Sequence, residues 1–302
     1  MKEEQKFDVI IIGGSYAGLA AAMSLGRAIR KVLIIDSGKP CNIQTPYSHN
    51  HLTQDGSTPA EIAAIAVKQV LAYPTVKLKQ GFAVSVSGKN NKFEVFTETG
   101  EQYAAKKIIF TTGIRDLKPA IPGFSECWGI SIIHCPYCHG YEYRDEPTGI
   151  FVNGEGAFEF ARLIKNWTQK VTILTNGAAT FEETTRQKIY EIGVEIIEKQ
   201  VKTFDHKNGL LENIHFTDES AFALNVMYAR VPFEQHSQIP LNLGCEFNEL
   251  GYIKIDDFQK TNLPGIYAAG DNTSMMRSVS GAIAAGSKAG AMINLELIHE
   301  GL

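Results

Sequence analysis

The sequence predicts an α/β protein made of two βαβ-type units, and three observations carry that reading. An apolar strand runs into a glycine turn and a small-residue helix close to the N-terminus. A second alternation of strands and helices repeats this layout from about residue 148. The length, 302 residues, exceeds one ordinary domain and suits two.

Composition narrows the classes. Hydrophobic residues at 44% and charged residues at 21% are enough for a buried core without staples. A formal charge of -4 with no basic run argues against a nucleic-acid partner. The apolar run "VIIIGGSYAGLAAAMSL" is broken by Gly13 and Gly14 and follows the mixed-charge "MKEEQKFD", so neither a membrane span nor a signal peptide is expected. Five cysteines, two of them closely spaced, point to a reducing compartment, and a cytoplasmic protein is expected.

In chain order, residues 7 to 36 read as strand "FDVIII", turn "GGSYAG", helix "LAAAMSLGRA" and strand "KVLIID". Residues 82 to 111 alternate as strands turning at "KNN" and ending in "KIIFTTG". Pro119 and Pro122 mark a crossing. Beyond it come "TGIFVNGEGAFEFARLI", strand "VTILT", a helix through "TTRQKIYEIG" and strand "VEIIEK". From about residue 245 the reading is strand "GYIKID", a loop with Pro264, strand "GIYAAGD" and a helix over residues 279–299.

"GGSYAG" keeps the spacing of G-x-G-x-x-G at Gly13 and Gly18, with Ser15 in place of the middle glycine. Such a turn aims backbone amides at a pyrophosphate, and small residues let the ligand approach. Asp36, about 20 residues on, stands where a carboxylate accepts from a ribose hydroxyl. Together these predict an adenine dinucleotide.

For the cysteines of "HCPYCH", three roles compete: a zinc site, inert packing and electron transfer. Zinc needs four ligands, and no second pair with ligand spacing exists. Inert packing does not call for C-x-x-C spacing. In a redox pair, Pro136 suits the first turn of a helix whose start stabilises a thiolate.

With "GGSYAGLAAA", "TTG" at 111 to 113, "CPYC", and "GYIKID" running into "TNLPGIYAAGD", the chain resembles the low-molecular-weight thioredoxin reductase family over essentially its whole length. The resemblance implies two Rossmann-like dinucleotide-binding domains of the FAD/NAD(P)-linked disulfide reductase type. An FAD domain at residues 1–114 and 245–302 is interrupted by an NAD(P)-binding-like domain at 115–244 that carries the C-x-x-C. It implies FAD contacts at Gly13, Gly14, Ser15, Ala17 and Gly18, at Asp36 and Ser37, and at Thr112 and Gly113. Gly270, Asp271, Ser278 and Val279 complete that set at the second flavin motif.

The resemblance also places Cys138 toward the flavin and Cys135 toward the substrate, with His139 in the position of a proton donor or acceptor that is acidic in many members. His134, as a cation, lowers the Cys135 thiol pKa. Glu142 is expected to orient His139 from the next helical turn. In "CNIQTPYSHNHLTQDG", His49 and His51 flank Asn50, a further candidate over the flavin or along the thiol's path. Cys41, Cys127 and Cys245 read as packing thiols. A homodimer is implied, and no metal is expected.

The second unit departs from NADPH-dependent relatives. In "VNGEGAFEFA", Phe158 and Glu159 fall where a small residue is expected, and Glu155 sets a carboxylate in the loop that receives a pyrophosphate. Asn176 and Gly177 stand where relatives carry cations for the 2'-phosphate. The leading expectation is therefore an FAD-dependent dithiol oxidase, like those of gliotoxin and holomycin biosynthesis. It passes electrons from a small-molecule dithiol through Cys135 and Cys138 to molecular oxygen, without NADPH. The alternatives are a disulfide reductase driven by NADPH or a reductant protein such as ferredoxin, acting on a thioredoxin-like protein, and a flavin-bearing redox sensor.

Overall fold

The computed structural model describes residues 6–301; residues 1–5 of the mixed-charge lead-in lie outside the described residues. Contact density divides the chain into two compact units. The first holds residues up to Ile43, Pro59–Arg115 and those from Phe233 onward; the second holds Gln44–Thr58 and Asp116–Pro232. Among the described residues no helix is long and apolar enough to cross a membrane.

The chain opens with β1 (Lys6–Ile12), α1 (Tyr16–Arg27), β2 (Val32–Asp36), α2 (Pro59–Leu71) and β3 (Val76–Gln80). Next come β4 (Ala83–Lys89), β5 (Lys92–Thr97), β6 (Gln102–Phe110) and β7 (Ile114–Asp116). The middle of the chain contributes α3 (Phe124–Cys127), β8 (Ile132–Ile133), α4 (Pro136–His139), β9 (Thr148–Phe151), α5 (Ala157–Ile164), β10 (Val171–Leu174), α6 (Glu183–Glu191) and β11 (Glu195–Ile197). It continues through β12 (Val201–Lys207), β13 (Leu210–Phe216), β14 (Ala221–Ala223) and β15 (Val226–Ala229). The last elements are β16 (Phe233–Gln235), α7 (Ile239–Leu243), β17 (Ile266–Ala268) and α8 (Val279–His299).

In the first unit the sheet order is β3-β2-β1-β6-β5-β4, with β17 also on β6. The β1, β2, β3, β6 and β17 pairings are parallel, whereas β4, β5 and β6 form an antiparallel run. Both faces are covered, which explains the unbroken apolar strands. Ile10 and Ile12 enter one core with Leu33, Ile35, Ile108 and Phe110. Val9 and Ile11 enter the other with Val32, Ile34 and Ile109. Each such side chain contributes about 1.5–3 kcal/mol on burial.

Helix α8 lies so close to α1 that a Cβ on Gly286 would stand 2.0 Å from the Ala17 carbonyl oxygen, and one on Gly290 would stand 2.7 Å from that of Ala21. The small residues of α8 are thus spacers for a helix contact.

In the second unit the parallel sheet has the order β11-β10-β9-β15-β8. Its two faces bury separate clusters around Phe124, Phe204 and Met227 and around Phe160, Ile173 and Tyr228.

Several expectations need correction. The first unit resumes at Phe233 rather than residue 245, because Ile239 packs into the same core as Cys245 and Ile253. Residues 44–58, expected with the first domain, group with the second unit. "GYIKID" forms only an isolated bridge, Phe247 to Ile253, made by the Lys254 amide to the Glu246 carbonyl and the Asn248 amide to the Tyr252 carbonyl, while the Ile253 amide donates to the Asn272 carbonyl. The antiparallel β12-β13-β14 sheet lies in a stretch from which no strands were predicted.

Candidate active site

The first unit builds a nucleotide turn after β1. Gly13 has φ +105°, and a Cβ there would stand 2.3 Å from the Thr111 carbonyl oxygen. A Cβ on Gly18 would meet the Gly13 carbonyl at 2.0 Å, so only glycine lets α1 start this close to the strand. Ser15 is the N-cap of α1, and its side chain makes no capping bond. Ala17 is buried in the first turn. Asp36 ends β2, where its Oδ1 accepts from the Gly14 amide at 2.8 Å and its Oδ2 from the Gly38 amide at 3.0 Å. Ser37 follows it, half-buried.

Beside this turn, Thr111 Oγ1 donates to the Gly13 carbonyl at 2.6 Å, while Thr112 Oγ1 is buried without a hydrogen-bond partner. Gly113 has φ +64° and accepts the His236 amide at 3.4 Å. Gly270, at φ +96°, leads into Asp271, whose Oδ2 lies 3.8 Å from Arg277 Nε and 3.9 Å from Cys41 Sγ. Ser278 caps α8 by accepting the Gly281 amide at 3.0 Å, with Val279 as first helical residue. These residues fit FAD. The glycine turn leaves amides for a pyrophosphate at a helix start, Asp36 retains acceptor capacity for ribose, and Thr112 Oγ1 is a buried polar atom with bonding capacity to spare.

The second unit carries the dithiol. Cys135 is the N-cap of α4 and Pro136 its first residue, so the missing proline amide costs no helix bond. The Cys138 and Cys135 sulfurs stand 2.6 Å apart as thiols. Helix α4 is a single turn, so its dipole gives the thiolate less help than a full helix start. Burial, then the charge of nearby His49, pushes the His139 imidazole down to about 4. His139 is therefore neutral at physiological pH and able to accept a proton.

Glu142 departs from its expected role. It lies beyond the end of α4, and its Oε1 faces His49 Nε2 at 3.6 Å instead of orienting His139. His134 stacks on Trp128, with centroids 6.0 Å apart and planes at 24°. Asn50, at φ +57°, is in the second unit, where its amide donates to Asp55 Oδ1 at 2.8 Å. Cys127 and Cys245 are buried packing thiols, but Cys41 is exposed near Asp271.

Sequence reasoning missed Tyr228. This buried phenol is pushed upward in pKa by burial first and then by the charges of Cys135, Tyr143, Glu142 and Cys138. Its position in an apolar β15 run, "VMYA", signalled only core packing.

The polar side chains of the βα turn after β9 are engaged by the turn itself and by residues 180–185. Glu155 Oε1 accepts from the Glu182 amide at 2.7 Å and Oε2 from Thr185 Oγ1 at 2.7 Å. Asn153 Oδ1 accepts from the Gly154 amide at 2.9 Å and the Thr180 amide at 2.8 Å. Arg186, the first arginine after β10, pairs with Glu198 and Glu183.

A parallel-sheet unit with a glycine turn, joined in one chain to a second such unit bearing a vicinal dithiol, defines a two-domain disulfide oxidoreductase. Residues 7–286 match the pyridine nucleotide-disulphide oxidoreductase family, and the chain belongs to it. It is 31% identical over 315 residues to the thioredoxin reductase tcpT of Claviceps purpurea, with 97% of this chain and 95% of that one covered. TrxB of Bacillus anthracis superposes with a TM-score of 0.93 at 29% identity, covering 98% of this chain and 100% of that one. An oxidoreductase from Agrobacterium tumefaciens does so with a TM-score of 0.91 at 32% identity, covering 98% and 99%. The protein is a thioredoxin reductase-like oxidoreductase, in a family whose members are FAD-dependent.

Proposed function

We propose that the protein oxidises a small-molecule dithiol, using the Cys135–Cys138 pair, FAD and molecular oxygen, and does not use NADPH. The observation that carries this is at the second unit's βα turn, where the Gly154 amide already donates to Asn153 and the Glu155 carboxylate is fixed by the Glu182 amide and Thr185 hydroxyl at the start of α6. An incoming pyrophosphate meets a carboxylate there, and the arginine that could serve a 2'-phosphate is engaged by Glu198 and Glu183.

In the reaction, a substrate thiolate attacks the oxidised pair at Cys135 and forms a mixed disulfide. The second substrate thiol displaces Cys135, leaving an oxidised substrate and two cysteine thiols. As the pair re-forms its disulfide, two protons leave the sulfurs, and His139, neutral beforehand, accepts one of them. Bound FAD supplies the two-electron acceptor that connects the pair to oxygen, which is reduced to hydrogen peroxide. The residues to hold it are Gly13, Gly14, Ser15, Asp36, Thr112 and Asp271.

The second reading is a disulfide reductase acting on a thioredoxin-like protein with NADPH or a reductant protein as donor. It is supported by the name of the Claviceps purpurea relative. An anaerobic experiment separates the two: NADPH, and separately dithiothreitol, is added to flavin-loaded protein, and bleaching of the visible flavin band is followed. Bleaching by the dithiol alone, reversed by air with peroxide formed, is expected. Rapid bleaching by NADPH overturns the oxidase assignment in favour of the reductase. Cys138→Ser is expected to keep the yellow colour and lose dithiol-driven bleaching.

A further inference from the structure

The sulfur that a substrate meets first in the reaction proposed above, Cys135, sits at the C-terminal edge of the second unit's parallel sheet. Strand β8 pairs with β15 there, Met227 against Ile132 and Tyr228 against Ile133. Two residues beyond that last pair stand Cys135, on the continuation of β8, and Arg230, on the continuation of β15. Adjacent strands run about 4.8 Å apart, so the topology brings this thiol and this cation to neighbouring places on one edge.

They also share a face. Side chains alternate across a sheet, and Ile133 and Tyr228 both enter the cluster around Phe160. His134 turns to the opposite face, where it stacks on Trp128 of the other cluster. Cys135 keeps an extended backbone, φ -116° and ψ 111°, and so returns to the Ile133 side. Arg230 lies on that side as well, because its guanidinium carbon stands 4.1 Å from the Phe160 ring centroid.

The other arginines of the second unit are engaged: Arg144 donates to the Tyr141 carbonyl, Arg162 pairs with Glu159, and Arg186 with Glu198. Among the described residues Arg230 has no hydrogen-bond or ion-pair partner, and it is exposed to solvent. A ring face holds a guanidinium in place while its N–H donors stay available. Those donors match the two oxygens of a carboxylate. One cation answers one negative charge; a phosphate monoester brings a second with nothing to meet it.

We propose that Arg230 is a substrate-recognition residue, and that the small dithiol oxidised at Cys135 carries a carboxylate, which the guanidinium holds while a substrate thiolate attacks the sulfur. This rests on the dithiol-oxidase reading and leaves its steps and electron balance unchanged, since Arg230 touches the carboxylate and not the sulfurs. Nor does Arg230 stand in for the missing 2'-phosphate cations, which belong after β10: in the sheet order β15 lies beside β8, with β9 between it and β10.

The test uses the full-length, flavin-loaded protein under anaerobic conditions, with flavin bleaching followed by stopped flow. Dihydrolipoate and dihydrolipoamide share one dithiol and differ in a carboxylate against a neutral amide. At low concentration the unaltered protein is expected to be reduced about tenfold or more faster by dihydrolipoate, with added salt shrinking the preference. Arg230→Gln is expected to bring the ratio near one through a raised half-saturating concentration, and Arg230→Lys to restore part of it. Octanoate is expected to slow reduction of the unaltered protein by dihydrolipoate, and octanamide not to. No preference for dihydrolipoate in the unaltered protein, a preference that survives Arg230→Gln, or equal effects of octanoate and octanamide overturns the assignment. Arg230→Gln slowing both dithiols alike, with a lowered melting temperature, does so too, since that marks a packing role against Phe160. Dithiothreitol separates the two failures: if it bleaches the flavin while the carboxylate makes no difference, only the Arg230 assignment falls, and if it does not, the redox reading falls with it.

Discussion

Lys107 Nζ donates to Glu296 Oε1 at 2.7 Å, from a side chain with no exposed surface. The same ammonium donates to Glu300 Oε2 at 2.6 Å and Asn90 Oδ1 at 2.7 Å, so all three of its protons are used. The cluster ties the end of α8 to β6. The start of the same helix, capped by Ser278, is part of the proposed FAD site. Lys107→Met leaves two carboxylates facing an apolar side chain and is expected to cost about 3–5 kcal/mol, as breaking a buried pair does. Urea unfolding, with flavin fluorescence as a second probe, measures it.

Glu296 itself sets an acid limit. Burial pushes its carboxyl up, but hydrogen bonds from Lys107, Lys260 and Tyr267 outweigh this and hold it down at about 2. A depressed carboxyl contributes its full stability above its unfolded value of 4.5 and loses it as pH falls toward 2. The contribution is of order 3 kcal/mol. Glu296→Gln is expected to lower stability at pH 7 and to flatten its decline between pH 4.5 and 2.

His139 acts in a higher window. Its ring, held at about 4 against 6.5 when unfolded, binds a proton more readily in the unfolded chain. Stability therefore falls as pH drops from 6.5 to 4, by at most about 3 kcal/mol. His139→Gln is expected to reduce that slope while leaving the slope below pH 4 in place. Melting temperature measured across pH 7 to 3 distinguishes the two windows.

What was legible in the sequence was local. Strand β1, the "GGSYAG" turn, the C-x-x-C with its proline and the span of α8 each carry their signal within a few residues, in apolar periodicity, glycine spacing or capping. The unread parts depend on partners distant in the chain. Lys107 looks like a surface lysine until α8 brings Glu296 and Glu300 to it. His49 looks like a loop histidine until its stretch closes and Glu142 meets it. The three strands from Val201 to Ala223 have mixed exposed and buried positions with register shifts, which blurs a two-residue alternation. Helical spacing does not carry from His139 to Glu142, because α4 ends after a single turn at His139.

The contact between α8 and α1 gives a further prediction. Because a Cβ at Gly286 meets backbone at Ala17, the helices must separate to accept Gly286→Ala, and overpacking of this kind costs about 1–3 kcal/mol. Ala17 belongs to the first turn of α1, beside the glycine turn, so the shift is felt at the proposed FAD site. Reduced flavin content with an intact second unit is expected. It is measured as the ratio of visible to ultraviolet absorbance of purified protein, alongside exchange protection of β9 and β10 amides.

Glu155 supplies the last prediction, because its carboxylate has two separable effects. It accepts from the Glu182 amide and Thr185 hydroxyl at the start of α6, an end where negative charge is favoured. Those hydrogen bonds also hold the carboxyl below its usual range. Glu155→Ala is therefore expected to lower the melting temperature and to speed hydrogen exchange in the first turn of α6. The same change removes the charge that repels a pyrophosphate, yet it adds no cation for the 2'-phosphate, since Arg186 stays paired with Glu198. NADPH binding is accordingly expected to stay undetectable in calorimetry. If Glu155→Ala alone gains NADPH-driven flavin reduction, the carboxylate is the only block, and the second unit retains a nicotinamide site that one side chain had closed.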